Sequence, residues 1–333
     1  MHTSTIKQGK TLRMIALVTL ICLLVGAMCG CGVFDKWFGG KGEEPILEEP
    51  VDSTVGFRRT VLYFQTDDGQ MVPVMKLLPW EEGIGRAALN QLIDTDTNRI
   101  SAAKMGLKNV VPQGVSFVLS ISDDAVATVN ILGLTELSSA EAEQNMITGI
   151  INTLTEFDSI SSVRFEFDGK QMKKLSNGTL VDGVFLVQAL NPEPMTVANE
   201  GEDQYQMTLY FPNNSASLHV PVTRTVTIEP TFMLAMQELV SGPVDITLRN
   251  CFPEGTQVLS ATLEDGVATV NLSGEFAQLQ STPELELAAL ESIQLVAKQF
   301  ASVSALQVQI EGTDYQSASM ETMAVPVYVN EYR

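Results

Sequence analysis

The heptapeptide Asp265-Gly266-Val267-Ala268-Thr269-Val270-Asn271 has a near copy 141 residues earlier, Asp124-Ala125-Val126-Ala127-Thr128-Val129-Asn130. Other segments agree in the same order. Val61-Leu62-Tyr63-Phe64 matches Thr208-Leu209-Tyr210-Phe211, and Val72-Pro73-Val74 matches Val220-Pro221-Val222. Ala87 to Ile93 matches Leu234 to Val240, and Pro112-Gln113-Gly114 matches Pro253-Glu254-Gly255. The apolar series Ile150, Phe157, Val163, Phe165 recurs as Ile293, Phe300, Leu306, Val308, and Gly169 recurs as Gly312. The offset stays between 141 and 148 throughout. Ordered matches at nearly constant spacing mean duplication. The period is too long for a stacked solenoid unit, so each copy is a domain with its own core.

Each copy gives the same order of elements. Thr60 to Gln65 and Met207 to Phe211 are rich in branched and aromatic residues and predict strands. Turn residues follow, Thr66-Asp67-Asp68-Gly69 and Pro212-Asn213-Asn214-Ser215, then a second strand, Val72 to Leu77 or Leu218 to Val222. Helical spacing predicts a helix at about Glu82 to Asp94 and at about Pro230 to Val240. A second hairpin joins Val115–Ile121 to Val126–Leu132, and Gln257–Leu263 to Val267–Leu272. Glu264-Asp265-Gly266 is a hairpin turn sequence, and Ala125 in place of that glycine predicts a different turn in copy one. Longer helices at about Ser139 to Glu156 and Thr282 to Phe300 precede strands Ser162–Phe167 and Ala305–Ile310. Trailing segments Val184–Leu190 and Val325–Val329 are candidate edge strands. The fold class expected is α+β: two ββαββαβ modules, each a small mixed sheet with two helices on one face. The boundaries read are 1–30 signal peptide, 31–55 anchor and flexible linker, 56–195 first module and 196–333 second module.

The N-terminus predicts export. Lys7, Lys10 and Arg13 precede an apolar run from Met14 to Met28, and small residues and cysteines follow. Gly30-Cys31 resembles a bacterial lipobox, which implies cleavage before Cys31 and acylation of that cysteine with palmitate-type chains. The competing reading is an uncleaved anchor, since the 17 residues from Met14 to Gly30 are just long enough to span a bilayer. Of four cysteines, Cys22 and Cys29 leave with the signal and Cys31 is the acceptor. Cys251 remains and reads as a small buried hydrophobe. The aromatics of Val33-Phe34-Asp35-Lys36-Trp37-Phe38 suit the headgroup level. Residues Gly32 to Val55 span roughly 80 Å fully extended and about 25–30 Å as a flexible coil. The formal charge is −20 and becomes −23 without the three basic residues of the signal. Such a surface repels phosphate backbones, so nucleic acid is not an expected partner.

These repeats, with the signal, resemble the GerM family of spore-forming bacteria, lipoproteins with tandem GerMN domains. The resemblance rests on Leu62-Tyr63-Phe64, Leu209-Tyr210-Phe211, Pro253-Glu254-Gly255-Thr256 and the run from Asp265 to Phe276. Asn130 and Asn271 stand where the family often has aspartate. The resemblance implies a role in sporulation and spore germination. It also implies an architecture similar to the ring-building modules of envelope secretion machines.

Chemistry-bearing residues are few. His219 is the one histidine beyond the signal and has no counterpart in copy one, so it reads as a surface or edge residue. No metal-ligand spacing, phosphate loop or Gly-x-Ser-x-Gly elbow is present. Glu275 and Glu286 are the first candidates for a glycosidase-type acid pair, and their plainer reading is solvated helix caps and faces. The expected function is therefore a non-catalytic, lipid-anchored assembly protein on the extracytoplasmic face of the cell membrane, with no cofactor and no metal. Its expected partners are the membrane, other envelope or sporulation-complex proteins and copies of itself. The rivals are a peptidoglycan-processing enzyme or accessory, and a small-molecule-binding lipoprotein with its ligand between two lobes. The single join from Gln188 to Asp203 argues against the last.

Overall fold

The computed structural model describes residues 56–81, 83–194, 203–300, 302–317, 319 and 324–332. The segments read as signal peptide, Cys31 and the whole linker to residue 55 lie outside these residues. Both modules have the expected order. The first contains β1 (Phe57–Gln65), β2 (Met71–Pro79), α1 (Ile84–Gln91), α2 (Asp96–Ala103), β3 (Ser116–Ile121), β4 (Val126–Leu132), α3 (Ala140–Thr155) and β5 (Ser162–Phe167). The second contains β6 (Tyr205–Pro212), β7 (His219–Val226), α4 (Phe232–Ser241), β8 (Val258–Glu264), β9 (Val267–Leu272), a 3-10 helix (Gly274–Ser281), α5 (Pro283–Ala297), β10 (Ala305–Ile310) and the short β11 (Thr313–Asp314). The short α2 and the 3-10 helix go beyond the repeat read from sequence.

In each module the last three long strands form the mixed sheet. β3 runs antiparallel to β4 and β4 parallel to β5, while β8, β9 and β10 repeat this pattern and β11 extends it. The opening hairpin makes a separate two-stranded sheet, β1 with β2 and β6 with β7. Helices α1, α3 and α4 lie between hairpin and sheet, with α3 touching both β1 and β5 and α4 both β6 and β8. Leu62, Leu89, Val129, Met146, Ile150 and Phe165 from the first module, and Leu209, Phe211, Met236, Val270, Leu290 and Ile293 from the second, belong to one buried apolar cluster. Burial of this kind contributes about 1.5–3 kcal/mol per large side chain.

Local signals account for the helix starts. Ser139 accepts the Ala142 N–H at 3.1 Å, and Thr231 accepts that of Leu234 at 3.1 Å. The turns differ between copies as the sequence implies. Asp265 (φ 49°) and Gly266 (φ 78°) both take left-handed backbone in the two-residue turn between β8 and β9. Copy one uses a longer turn in which Ala125 takes φ 58°. An L-alanine is strained there. Replacing Ala125 with glycine is expected to raise stability by about 0.5–1 kcal/mol, measured by urea denaturation.

The trailing segments do not become edge strands. Each makes one bridge to its own sheet, Val163 with Phe185 and Ala305 with Ala324, and then crosses to the hairpin of the other module. Pro192 pairs with Thr223 on β7, and Glu331 pairs with Met75 on β2. Residues from Thr54 onward consequently form one compact unit. The join is therefore not the single crossing that the sequence suggested.

Candidate functional site

The junction between the modules is built from one asparagine in each tail. Asn191 accepts the Met71 N–H through Oδ1 at 2.7 Å. Its Nδ2 donates to the carbonyls of Met71 at 2.8 Å and Pro221 at 2.6 Å. Asn330 repeats this with the modules exchanged. It accepts the His219 N–H at 2.8 Å and donates to His219 O at 2.8 Å and Pro73 O at 3.0 Å. A side-chain amide has the donor and acceptor of a peptide group, so each asparagine supplies one rung of a ladder. The rung falls on the outward edges of β2 and β7, where Pro73 and Pro221 have no N–H to satisfy. Backbone bonds continue the contact. Met75 N–H donates to Asn330 O at 2.8 Å and Tyr332 N–H to Met75 O at 2.9 Å. On the other side Thr223 N–H donates to Leu190 O and Glu193 N–H to Thr223 O.

A cation on each hairpin reinforces its tail. Arg224 on β7 meets Glu193 in a two-pronged ion pair at 2.6 and 3.1 Å, and Glu238 at 3.0 Å. It also donates to the carbonyls of Glu238 and Gly242. Burial opposes its charge, but Glu193 and Glu238 more than offset this and hold the guanidinium protonated. At the matching place on β2, Lys76 lies over the Tyr332 ring at 4.8 Å. Gln70 adds a third tie from the β1–β2 turn, donating to Asp245 at 2.8 Å and to Thr247.

Two open grooves flank the junction. One of about 780 Å³ runs past Lys104, Asn213, His219, Glu291 and Tyr328. The other, of about 490 Å³, is lined by Tyr63, Tyr210, Glu156, Gln188 and Gln299. In the second, Tyr63 Oη donates to Glu156 at 2.6 Å. Burial, followed by the Glu156 charge, pushes the Tyr63 phenol well up and that of Tyr210 to about 12. Both phenols are neutral hydrogen-bonding groups near pH 7, not nucleophiles.

The residues singled out for chemistry are tied into the scaffold. His219 is 5% exposed, a correction to its reading as a surface residue. The C-terminal tail and α5 cover it because β7 is an inner strand of the junction. Its Nε2 donates to Ala288 O at 3.1 Å, and Glu291 lies 3.6 Å from Nδ1. Burial lowers its pKa, the Glu291 charge notwithstanding. The folded state therefore resists a proton that the unfolded chain accepts. This contribution is complete above the ordinary value of 6.5 and is lost as pH falls below it. The melting temperature is expected to drop as pH falls through 6.5 and below, and His219→Gln to flatten that drop.

Glu286 is fully buried, which corrects its reading as a solvated residue. It accepts from Tyr315 Oη at 2.5 Å and from the Ser319 hydroxyl. Its counterpart in copy one, Glu143, is also buried and accepts from Asn177 N at 2.7 Å and Thr179 N at 3.2 Å. Burial opposes the Glu143 charge, but these donors hold its carboxyl below the usual range. Both glutamates sit in the first turn of the long helix, where the helix dipole favours an anion. Each pins the loop after the last strand of its sheet. The sequence signal was available: Glu143 and Glu286 obey the repeat offset. Glu275 lies apart from these partners, accepts from Ser273 Oγ at 2.5 Å, and is held below the usual carboxyl range by that bond. Glu286→Ala is expected to cost about 2 kcal/mol in thermal or urea unfolding, since it strands the buried Tyr315 hydroxyl and the half-buried Ser319 hydroxyl.

Asn130 and Asn271 also serve the scaffold, accepting from Gly169 N at 3.0 Å and Gly312 N at 2.9 Å. Cys251 is buried as expected, and burial pushes its thiol up to about 12. Among the described residues no group of three or more His, Cys, Asp or Glu side chains could hold a metal. None of the described helices is long and apolar enough to cross a membrane. The asparagine clamps went unread because a lone asparagine near a proline is an ordinary loop signal.

The profile of the Germane family, described as sporulation and spore germination, matches residues 61–173 and 208–316, one match in each repeat. The spore germination protein GerM of Bacillus subtilis (strain 168) is 23% identical over 261 residues, covering 75% of this chain and 71% of that protein. The solved tandem GerMN domains of the sporulation protein GerM from Bacillus subtilis superpose with a TM-score of 0.67 at 22% identity. They cover 83% of this chain and all of the solved one. With both repeats matched and the tandem fold shared, the chain belongs to the Germane family of sporulation and spore germination proteins.

Proposed function

We propose that this protein is a non-catalytic assembly factor of the sporulating cell envelope, held on the extracytoplasmic face of the membrane by a lipid on Cys31. One observation carries the reading. The side chains suited to chemistry bond within the fold, while the edge strands β3 and β8 keep an outward side with no partner among the described strands. Val118 and Ile121 on β3, and Leu259 on β8, are about half exposed. Edge strands of this kind accept another strand by backbone pairing. Two such edges on one body suit a part that links neighbours, either other envelope proteins or further copies of the chain.

The test is a crosslinking pull-down from intact sporulating cells with a tagged chain and a Cys31→Ala control. Recovery of envelope-complex subunits with the wild type and not with the control is the expected result. Recovery of wall fragments alone, with hydrolysis of purified peptidoglycan, would replace this reading with that of a wall enzyme.

A further inference from the structure

The groove of about 490 Å³ beside the junction is lined by one face of both hairpins. Leu62 and Val74 are buried, and alternation puts Tyr63, Pro73 and Met75 on the opposite side of the first hairpin. Leu209 and Val222 are buried in the same way, which puts Tyr210 and Pro221 on the groove side of the second. Val187 and Val327, one from each tail, line the same groove and are 65% and 72% exposed. The groove therefore has tyrosines within and apolar residues at its mouth.

Its charge is one-sided. Glu156, at the C-terminal end of α3, is the single charged side chain among the described residues that line it. The helix dipole adds negative potential at that end. Glu156 accepts from Tyr63 Oη at 2.6 Å. Arg58, stacked on the adjoining Phe157 at 4.9 Å, makes no ion pair with it. Nor does the scaffold require this carboxylate. At the offset of the Phe157–Phe300 pair, copy two has Gln299, which accepts the Thr208 N–H at 2.9 Å. On β1 it is Thr153 that holds the strand, accepting the Tyr63 N–H at 3.2 Å.

The rest of the lining selects the same occupant. The Glu156 charge reaches the phenols of both Tyr63 and Tyr210, so the two residues stand close to it. Aromatic rings and a carboxylate together attract an ammonium or a guanidinium. Gln188 and Gln206 bring side-chain amides, whose donors and acceptors match those of a peptide backbone. The exposed valines favour apolar residues on either side of the cation. A net charge of −20 steers a basic partner toward this body.

We propose that this groove binds an extended basic segment of a partner protein, with an arginine or lysine side chain seated on Glu156 beside Tyr63 and Tyr210 and apolar residues against Val187 and Val327. The site is independent of the anchor at Cys31 and of the β3 and β8 edges. The test uses the full chain in nonionic detergent and an N-terminally dye-labelled, C-terminally amidated peptide, Val-Ser-Arg-Ser-Val. In an extended peptide the arginine and both valines share one face. Binding is read by fluorescence anisotropy, beside the same peptide with norleucine for arginine. The arginine peptide should bind, and the norleucine peptide about tenfold more weakly or worse. Glu156→Gln should weaken the arginine peptide by a similar factor at an unchanged melting temperature, since copy two already carries glutamine at this place. Tyr210→Leu should weaken it about threefold.

Equal binding of the arginine and norleucine peptides overturns the assignment to a cation. Arginine-selective binding that Glu156→Gln leaves intact places the peptide elsewhere on the acidic surface and overturns the site. Absence of binding at millimolar peptide overturns the proposal as a whole. A wild-type dimer in sedimentation that Glu156→Gln dissociates assigns the groove to a second copy instead of a separate partner.

Discussion

Asn330→Ala is expected to lower stability by about 3 kcal/mol and to uncouple the two modules. The substitution removes three hydrogen bonds at once, two to His219 and one to Pro73. It strands one N–H and two carbonyls where Asn330 itself is 8% exposed. Each buried group left without a partner costs about 1–3 kcal/mol, and partial entry of water reduces the sum. For a chain of this size the melting temperature should fall by roughly 6–10 °C. The shape of the transition tells more. Wild type should unfold in one cooperative step, because each tail is an integral part of the opposite module. Calorimetry of Asn330→Ala should show two overlapping transitions, because the C-terminal tail stays bonded to Met75 on β2 but no longer ties it to His219 on β7. Asn191→Ala should split the transition in the same way, since it frees Met71 on β2 from a tail still bonded to Thr223 on β7. A single unshifted transition in both variants would show that the tails lie on the surface without stabilising it.

Arg224→Met should be as costly, about 3–5 kcal/mol, because it leaves Glu193 charged and buried. The Glu193 side chain is 6% exposed, and its remaining donor is the Val244 N–H at 2.9 Å. Most of that cost is the stranded carboxylate and not the worth of the pair, so Glu193→Gln in the Arg224→Met background should restore part of the stability. Arg224→Lys should not substitute well, since an ammonium cannot reach Glu193, Glu238 and the Gly242 carbonyl together. The matching change in copy one, Lys76→Met, should cost under about 1 kcal/mol. Lys76 is half-buried, and its partners are a ring face and the neutral oxygens of Gln91 and Ser101. Equal effects at positions 76 and 224 would show that the two halves of the junction are loaded alike.

Much of the fold was legible before any coordinates. Strands β4, β5, β9 and β10 fall at the residues their alternation marks, because a buried sheet face imposes a period of two on its own sequence. The long helices start at Ala140 and Pro283, where the residues before them and the apolar spacing placed them. The short α2 was not legible. Asp96–Ala103 has one buried residue, Ala102, and so carries little periodic pattern to read. Three site residues were misread or missed for one common reason. His219, Glu286 and Asn330 are polar, and sequence gives a polar residue no sign of whether distant chain will cover it. Glu286 was half available, since its repeat partner Glu143 hinted at a role in the scaffold.

By itself, then, the sequence determined what is local and what is repeated: the duplication, the order of elements in each copy, the turn chemistry at Ala125 and Gly266, and the family. Those follow from periodicity and backbone preference, which neighbouring residues carry within a few positions of one another. Only the tertiary structure decided how the two copies become one body. The tail exchange joins Asn191 to Met71 across 120 residues and Asn330 to Pro73 across 257. Such contacts leave no period in the chain, because they are made by single polar groups whose partners are backbone atoms, and backbone atoms are the same in every sequence.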